Sequence, residues 1–445
     1  MIYEYLKNKM QKNLHHIICD ETETISYEEL LRHAETFGKV LKEHKQYKFG
    51  ILCRSNLNTA KALMACFYAK KTAVLLSYRY GDKHTQKIID NIGLTHIIND
   101  TCIDVLSKTE IFTETDDLTD VALIMCTSGT TGNPKGAMIT HENLMTNLDD
   151  IAVYFKIYDD DKILIARPLY HCAVLTGEFL ISLIKGLDIV FTDNNFSPIN
   201  ILKMIKQGGI SVLCGTPTML YHISSIAKRT SDLTLKTIVV SGECMTTTAA
   251  TFIRSVNPLA NIYNVYGLTE ASPRVSYLPP ELFDKYPVSV GFPLRSLQVK
   301  TENNELLIKG KSIMKGYYNT PDATKKAIKD GWLHTGDIAE IDESGMITIK
   351  SRKDDMIIRA GINIYPQEIE NALKQDERIK DVVASGIKND AAGQKICIKV
   401  VVDNLSKSEI FTLCKKLLPL YQLPDLIEIV DEIPKNASGK IIRRS

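Results

Sequence analysis

Residues 126–136, Cys126-Thr127-Ser128-Gly129-Thr130-Thr131-Gly132-Asn133-Pro134-Lys135-Gly136, form a dense cluster of groups suited to holding an anion. Glycines let the backbone approach an anion closely, hydroxyls and main-chain N–H groups can cradle phosphate oxygens, and Lys135 adds a cation. The apolar run at 121–126 reads as a buried strand, which puts the loop at a strand end. It is not a Walker A loop: counted from Gly129, that motif needs glycine at position 134, where the chain has Pro134. An ordinary Ser/Gly turn is the plainer alternative. Ten consecutive polar, small or basic residues after a buried strand argue against it, though they do not name the nucleotide. Elsewhere, His171 and Cys172 invite comparison with a Cys–His nucleophile, but adjacent side chains on an extended segment point to opposite sides. There is no GxSxG elbow to support a hydrolase.

The loop TSGTTGNPKG resembles the signature of the adenylate-forming superfamily, which comprises acyl-CoA synthetases, peptide-synthetase adenylation domains and luciferases. Four further matches follow in the family's order, so the resemblance runs from about Ser26 to Lys440. It implies that Thr127, Ser128, Gly129, Thr130, Thr131, Gly132 and Lys135 bind the phosphates of ATP. In NIYNVYGLTE, residues 261–270, it implies that Asn264 and Val265 lie at the adenine edge. Tyr266 lies against the face of the base, Gly267 is a further nucleotide-binding residue, Thr269 lies at the α-phosphate and Glu270 on Mg²⁺. A tyrosine ring can stack on a base, and a hard carboxylate oxygen suits magnesium. The upstream Ser241-Gly242-Glu243 is similar to the turn that lines the adenine and acyl pockets. GWLHTGD, residues 331–337, resembles the segment whose aspartate, here Asp337, holds the ribose hydroxyls; a carboxylate can accept from both arms of a diol. Arg352 matches the second ribose contact, Asp354 the hinge, and Gly361 the tunnel through which a phosphopantetheine thiol arrives. Lys440, after Asn436-Ala437-Ser438-Gly439, matches the catalytic lysine, and His171 the gate of the acyl pocket beside the substrate carboxylate.

The reaction implied has two steps. A carboxylate attacks the α-phosphorus of MgATP and pyrophosphate leaves, with Lys440, Thr269 and His171 as the catalytic groups. The C-terminal domain then rotates about Asp354 to admit a thiol, which converts the acyl-adenylate to a thioester and AMP. The residues that match the acyl pocket, His171, Thr176, Thr216, Gly267, Ala271 and Ser272, are small or neutral, and no aspartate stands near Tyr170-His171 to pair an α-ammonium. The resemblance therefore implies an acid–CoA ligase for a fatty, aryl or other non-amino acid, with ATP, Mg²⁺ and CoA. The alternatives are a stand-alone adenylation enzyme that loads an acyl carrier protein through its phosphopantetheine, and a non-catalytic nucleotide- or acyl-binding relative.

Such a site needs rigid strand ends. Ser26-Tyr27-Glu28-Glu29 reads as a capping box before a helix with Leu30, Leu31, Ala34, Phe37 and Leu41 on one face. Apolar runs at 49–53 and 73–76 flank helical spacing at 59–69, a strand–helix–strand unit that suggests a mostly parallel sheet. The theme repeats at 162–166, 175–185 and 188–191, and again between 237–240 and 261–265. After Ser276 short strands at 297–300, 305–309 and 346–350 alternate with polar turns, as in an antiparallel or barrel-like subdomain. A helix from Pro366 to 373, strands at 382–386 and 396–402 and a helix at 411–418 make a last α+β unit. The expected fold is thus α/β. A large N-terminal domain (1–353) has stacked, mostly parallel sheets with helices and a small β-barrel-like subdomain, and a smaller mobile α+β domain (354–445) carries Lys440.

Bulk properties exclude other classes. Of 445 residues, 44% are hydrophobic and 24% charged, as in globular proteins, and the formal net charge of +1 gives no field that would recruit nucleic acid. The ten cysteines show no CxxC pair, which fits reduced thiols in the cytoplasm. The first residues lack the apolar stretch of a leader, and no run approaches a membrane span. A monomer or homodimer acting on a small carboxylic acid is expected.

Overall fold

In the computed structural model, residues 1–54, 56–78, 82–100, 102–106, 117–127, 135–158, 160–192, 197–230, 233–359, 362–389, 393–434 and 443 are described. The strand–helix–strand units build two sheets. The first has nine strands, and its interior is parallel: Asn261–Gly267, Thr237–Val240, Val212–Gly215, Lys162–Ile165, Asp188–Phe191 and Ile17–Cys19 lie side by side in that order. The second has seven, with Val121–Thr127, Thr72–Ser77, Lys48–Cys53 and His96–Asn99 parallel. Antiparallel strands close both edges of each sheet. Strands buried on both faces have no reason to alternate, and Val121–Thr127 and Thr72–Ser77 are accordingly near-continuous apolar runs.

A layer of helices lies between the two sheets and carries the largest core. Helix Leu57–Ala69 is apolar almost all round because it is buried there; its one lysine, Lys61, is buried against Glu23. The capping box of Ser26 and Glu29 forms and starts helix Tyr27–Glu43, whose buried face is Tyr27, Leu30, Leu31, Ala34, Gly38 and Leu41. A second core covers the other face of the nine-stranded sheet under helices Pro198–Gly208, Pro217–Thr230 and Thr247–Val256.

The antiparallel subdomain is a five-stranded sheet built on the hairpin Leu297–Glu302/Glu305–Gly310 and the long strand Trp332–Ile341, which also pairs with Ile347–Arg352. The chain changes sheets between Arg352 and Ile357. From Ile357 onward the buried side chains form their own core around strands Ile379–Asn389 and Gly393–Val402 and helices Pro366–Leu373 and Lys407–Leu417. Among the described residues no helix is long and apolar enough to cross a membrane.

Candidate active site

The C-terminal end of strand Asn261–Gly267 is the centre of the site. Tyr266 is half-buried there and its hydroxyl donates to Asp337 Oδ2 at 2.5 Å. Asp337 lies on the long strand of the third sheet, 6% exposed, and its cross-strand neighbour is Arg352. That register lets Arg352 Nη1 donate to Asp337 Oδ1 at 2.8 Å and to the Thr335 carbonyl at 3.0 Å. The Asp337 amide donates to Thr335 Oγ1, which in turn donates to the Leu306 carbonyl. Burial pushes the Tyr266 phenol up, and the Asp337 charge pushes it further, so it stays a donor. Behind this pair Glu305 accepts from the Gly336 amide at 3.0 Å and from Lys353 Nζ at 2.9 Å. Burial raises the Glu305 carboxyl, but Lys353, the Gly336 amide and His334 outweigh it and hold the group below its ordinary range.

The strand ends because Gly267 packs on a backbone. A Cβ there would stand 2.2 Å from the Pro273 carbonyl oxygen, so no other residue fits without moving the chain. The turn that follows, Thr269–Ala271, is one 3₁₀ turn with Thr269 and Glu270 half-buried. Glu270 Oε1 accepts from the Tyr317 hydroxyl at 2.7 Å, and Lys135 Nζ stands 5.3 Å from the centre of the Tyr317 ring. Tyr317 reaches both because strand Gly316–Tyr317 pairs with Lys135–Thr140. Sequence reasoning missed Tyr317; an aromatic 47 residues from Glu270 gives no local signal. One carboxylate with an oxygen lacking a hydrogen-bond partner among the described residues suits Mg²⁺, which keeps most of its waters and takes one or two carboxylates beside substrate phosphates.

The other predicted residues fall as follows. Thr127 pairs by its backbone with Lys135 across the hairpin, while Ser128, Gly129, Thr130, Thr131, Gly132, Gly361 and Lys440 lie outside the described residues. Asn264 is 2% exposed and spends its amide on the carbonyls of Pro287 and Ser289, which fixes the strand from behind; Val265 is in the main core. Glu243 is exposed and accepts from the amide and hydroxyl of Thr218, fastening the Ser241-Gly242-Glu243 turn to helix Pro217–Thr230. Gly242 needs its left-handed φ of +90° to make that turn. Gln367 of the last unit donates to Cys244 Sγ at 3.2 Å, beside the same turn. Asp354 is exposed in the turn Lys353–Asp355, between two sheets. Arg443, just beyond Lys440, is anchored between Glu370 and Asp355.

His171 itself has an extended backbone, but Cys172 does not. His171 is the residue before helix Cys172–Val174, which continues through a π-helical stretch, Leu175–Leu180, into Ile181–Lys185. π-bulges are rare and gather at functional sites. Cys172 is buried and its thiol is pushed up to about 12 by burial, which disfavours the thiolate near neutral pH. Sequence reasoning also missed the charges behind this helix. Arg167 donates to Glu178 Oε1 at 2.5 Å and to Ser241 Oγ at 3.0 Å, and Glu178 is 1% exposed. A run of small and neutral pocket residues gave no hint of them.

Residues 6–318 match the family described as AMP-binding enzyme, and residues 368–440 the AMP-binding enzyme C-terminal domain. The long-chain-fatty-acid–CoA ligase of Escherichia coli O6:H1 is 35% identical over 344 residues, which cover 73% of this chain and 61% of that protein. The feruloyl-CoA synthase of an Amycolatopsis species is 32% identical over 342 residues, 73% of this chain and 69% of that one. The chain thus spans about three fifths of the length of the first of these relatives, matched at 61%. The o-succinylbenzoate CoA synthetase of Bacillus subtilis, solved with its acyl-adenylate intermediate, superposes with a TM-score of 0.87 at 26% identity, covering 99% of this chain and 96% of that one. The chain belongs to the AMP-binding enzyme family.

Proposed function

We propose that the protein is an AMP-forming acid–CoA ligase. A substrate carboxylate oxygen attacks the α-phosphorus of ATP, the bond to the pyrophosphate oxygen breaks, and an acyl-adenylate forms. A thiol of CoA then attacks the acyl carbon and AMP leaves. The observation that carries this reading is the convergence of Asp337, Arg352, Tyr266 and Glu270 on one strand end. Asp337 has lone pairs beyond those used by Tyr266 and Arg352, enough to accept a ribose diol. Negative charge must approach negative charge in the first step, so positioning and cations do most of the catalysis. Magnesium held at Glu270 supplies charge neutralisation on the phosphates when bound. Lys135 and the loop that precedes it hold the phosphates, and Thr269 stands at the α-phosphate. His171 lies beside the acid, and Lys440 steadies the developing charge.

Asp354, between the third sheet and the last unit, is the proposed hinge, dividing domains at 353/354, and Gly361 lines the thiol path. The ligase names of the relatives support the same chemistry. Ten unpaired cysteines suit the reducing cytoplasm. The test is acid-dependent ATP–pyrophosphate exchange over a panel of acids, followed by AMP release with CoA or with a phosphopantetheinylated carrier protein. Exchange with a subset of acids and AMP release driven by CoA are expected. Release driven by the carrier alone would move the assignment to a carrier-loading enzyme, and no exchange with any acid would refute it.

A further inference from the structure

The acyl side of the site holds buried polarity that the fold does not use. Arg274 opens strand Arg274–Leu278, directly after Ser272-Pro273, and is 4% exposed. Its guanidinium fills the space above Gly177 in the π-helical stretch, where a Cβ would stand 2.5 Å from Nη2. Arg274 Nε is buried without a hydrogen-bond partner among the described residues. The same is true of Thr176 Oγ1, Glu178 Oε2 and Ser272 Oγ, all on the two segments that meet there. Nearly all buried polar atoms in folded proteins are hydrogen-bonded, so a group of orphans demands an explanation. Glu178, the carboxylate on the facing π-helical segment, is already bound to Arg167. Two guanidiniums therefore face a single carboxylate in a place nearly closed to water, and an uncompensated buried charge is costly.

The cluster adjoins the reacting centre. Arg167 also holds Ser241 of the pocket turn, Gly267 packs on Pro273 and Arg274, and the Cys172 thiol beside Thr176 feels the Glu270 charge. On the reading that the enzyme activates an acid, Thr176 and Ser272 match residues of the acyl pocket, which puts this cluster on the side of the site that receives the rest of the acid. We infer that the acyl pocket is built for a short acid bearing a second carboxylate, with Arg274 as the specificity-determining residue. That carboxylate accepts from Arg274 Nε and from the hydroxyls of Thr176 and Ser272. Burial pushes the Glu178 carboxyl up against the pull of Arg167 and Arg274, so this one side chain is a poor counter-ion for both guanidiniums. An alkyl chain in this place would seal the same groups off with no partner, at the full desolvation cost of each. The pocket therefore disfavours long-chain fatty acids, unlike what the names of several relatives would suggest.

The experiment measures kcat/KM for pyrophosphate exchange by the full chain on matched pairs of acids: glutarate against pentanoate, adipate against hexanoate, a benzenedicarboxylate against benzoate, with palmitate as the long-chain case. At least one diacid should exceed its partner by roughly 100-fold, and Arg274→Met should erase most of that ratio. Because both acids are measured on one preparation, the ratio does not depend on how much of a variant folds. Thr176→Val, a milder change, should lower the same ratio by about tenfold should Arg274→Met yield no folded protein. A wild-type preference for monoacids or palmitate overturns the proposal, as does a ratio unchanged in a folded variant. No exchange with any acid would instead refute acid activation, and this inference with it.

Discussion

The cluster around Asp337, proposed to hold the nucleotide, and the cluster around Arg274, proposed to hold the acid, are built on different principles. Around Asp337 most described polar groups are already tied to one another, Ser351 Oγ on the paired strand excepted: Tyr266 and Arg352 hold the two carboxylate oxygens, Thr335 holds the amide, and Glu305 braces the strand through Gly336 and Lys353. Around Arg274 the buried groups are left over, with orphaned atoms on Arg274, Thr176, Glu178 and Ser272. A preformed network fixes geometry in advance, which suits a ligand that is the same in every turnover, such as a nucleotide. An open one is completed by its ligand, and its pattern of unmet donors selects which ligand that is.

The comparison can be broken at several points. The largest effect is expected from Lys440→Ala. It should lower acid-dependent pyrophosphate exchange by on the order of 1,000-fold, yet leave thioester formation from supplied acyl-adenylate nearly intact, because a second-step geometry does not use that lysine. Equal loss in both half-reactions would remove Lys440 from the chemistry. Next comes Asp337→Ala, which leaves Arg352 without its partner and the ribose without an acceptor; KM for ATP should rise on the order of 100-fold while the ranking of acids stays the same. A changed acid ranking would mean the two sides are not separate.

Gly267→Ala strikes the seam between them. With a Cβ 2.2 Å from the Pro273 carbonyl, the strand must shift, and thermal or urea unfolding should report a loss of about 2 kcal/mol. Unchanged stability would show that the seam is loose. The smallest effect concerns acid. Glu305 has its folded pKa below its unfolded value, so its contribution is present above the ordinary carboxylate value of about 4.3 and is lost as pH falls through the folded pKa. Glu305→Gln should therefore lower Tm at neutral pH and flatten the acid limb of the Tm–pH curve below about pH 4.3. Parallel curves for both proteins would show that Glu305 does not support the Asp337 strand electrostatically.

What could be read in the sequence follows the same division. The nucleotide side rests on contiguous motifs, so Asp337, Arg352, Tyr266 and Glu270 could be named from their neighbours in the chain, and the cross-strand register then brought Asp337 and Arg352 together. The strand–helix–strand rhythm likewise foretold the parallel strands at Lys48–Cys53, Thr72–Ser77 and Asp188–Phe191. Strand order was not legible, because pairing such as Ile17–Cys19 beside Asp188–Phe191 joins residues 171 positions apart (Ile18 and Ile189) and leaves no periodic trace. The acyl side was read as neutral because Thr176 and Ser272 are neutral. Its charges come from Arg167, Glu178 and Arg274, which converge only through the sheet and the π-helical turn. The expectation of an extended backbone running on through Cys172 also failed, since the chain leaves His171, itself extended, directly into a helix.

The most direct test of acid activation omits the thiol. The protein, MgATP labelled at the α-phosphate and an accepted acid are mixed without CoA, and the bound nucleotide is identified by mass spectrometry. The structure predicts an enzyme-bound acyl-adenylate with an equal amount of pyrophosphate; ADP and phosphate, or intact ATP with every acid tried, would contradict it.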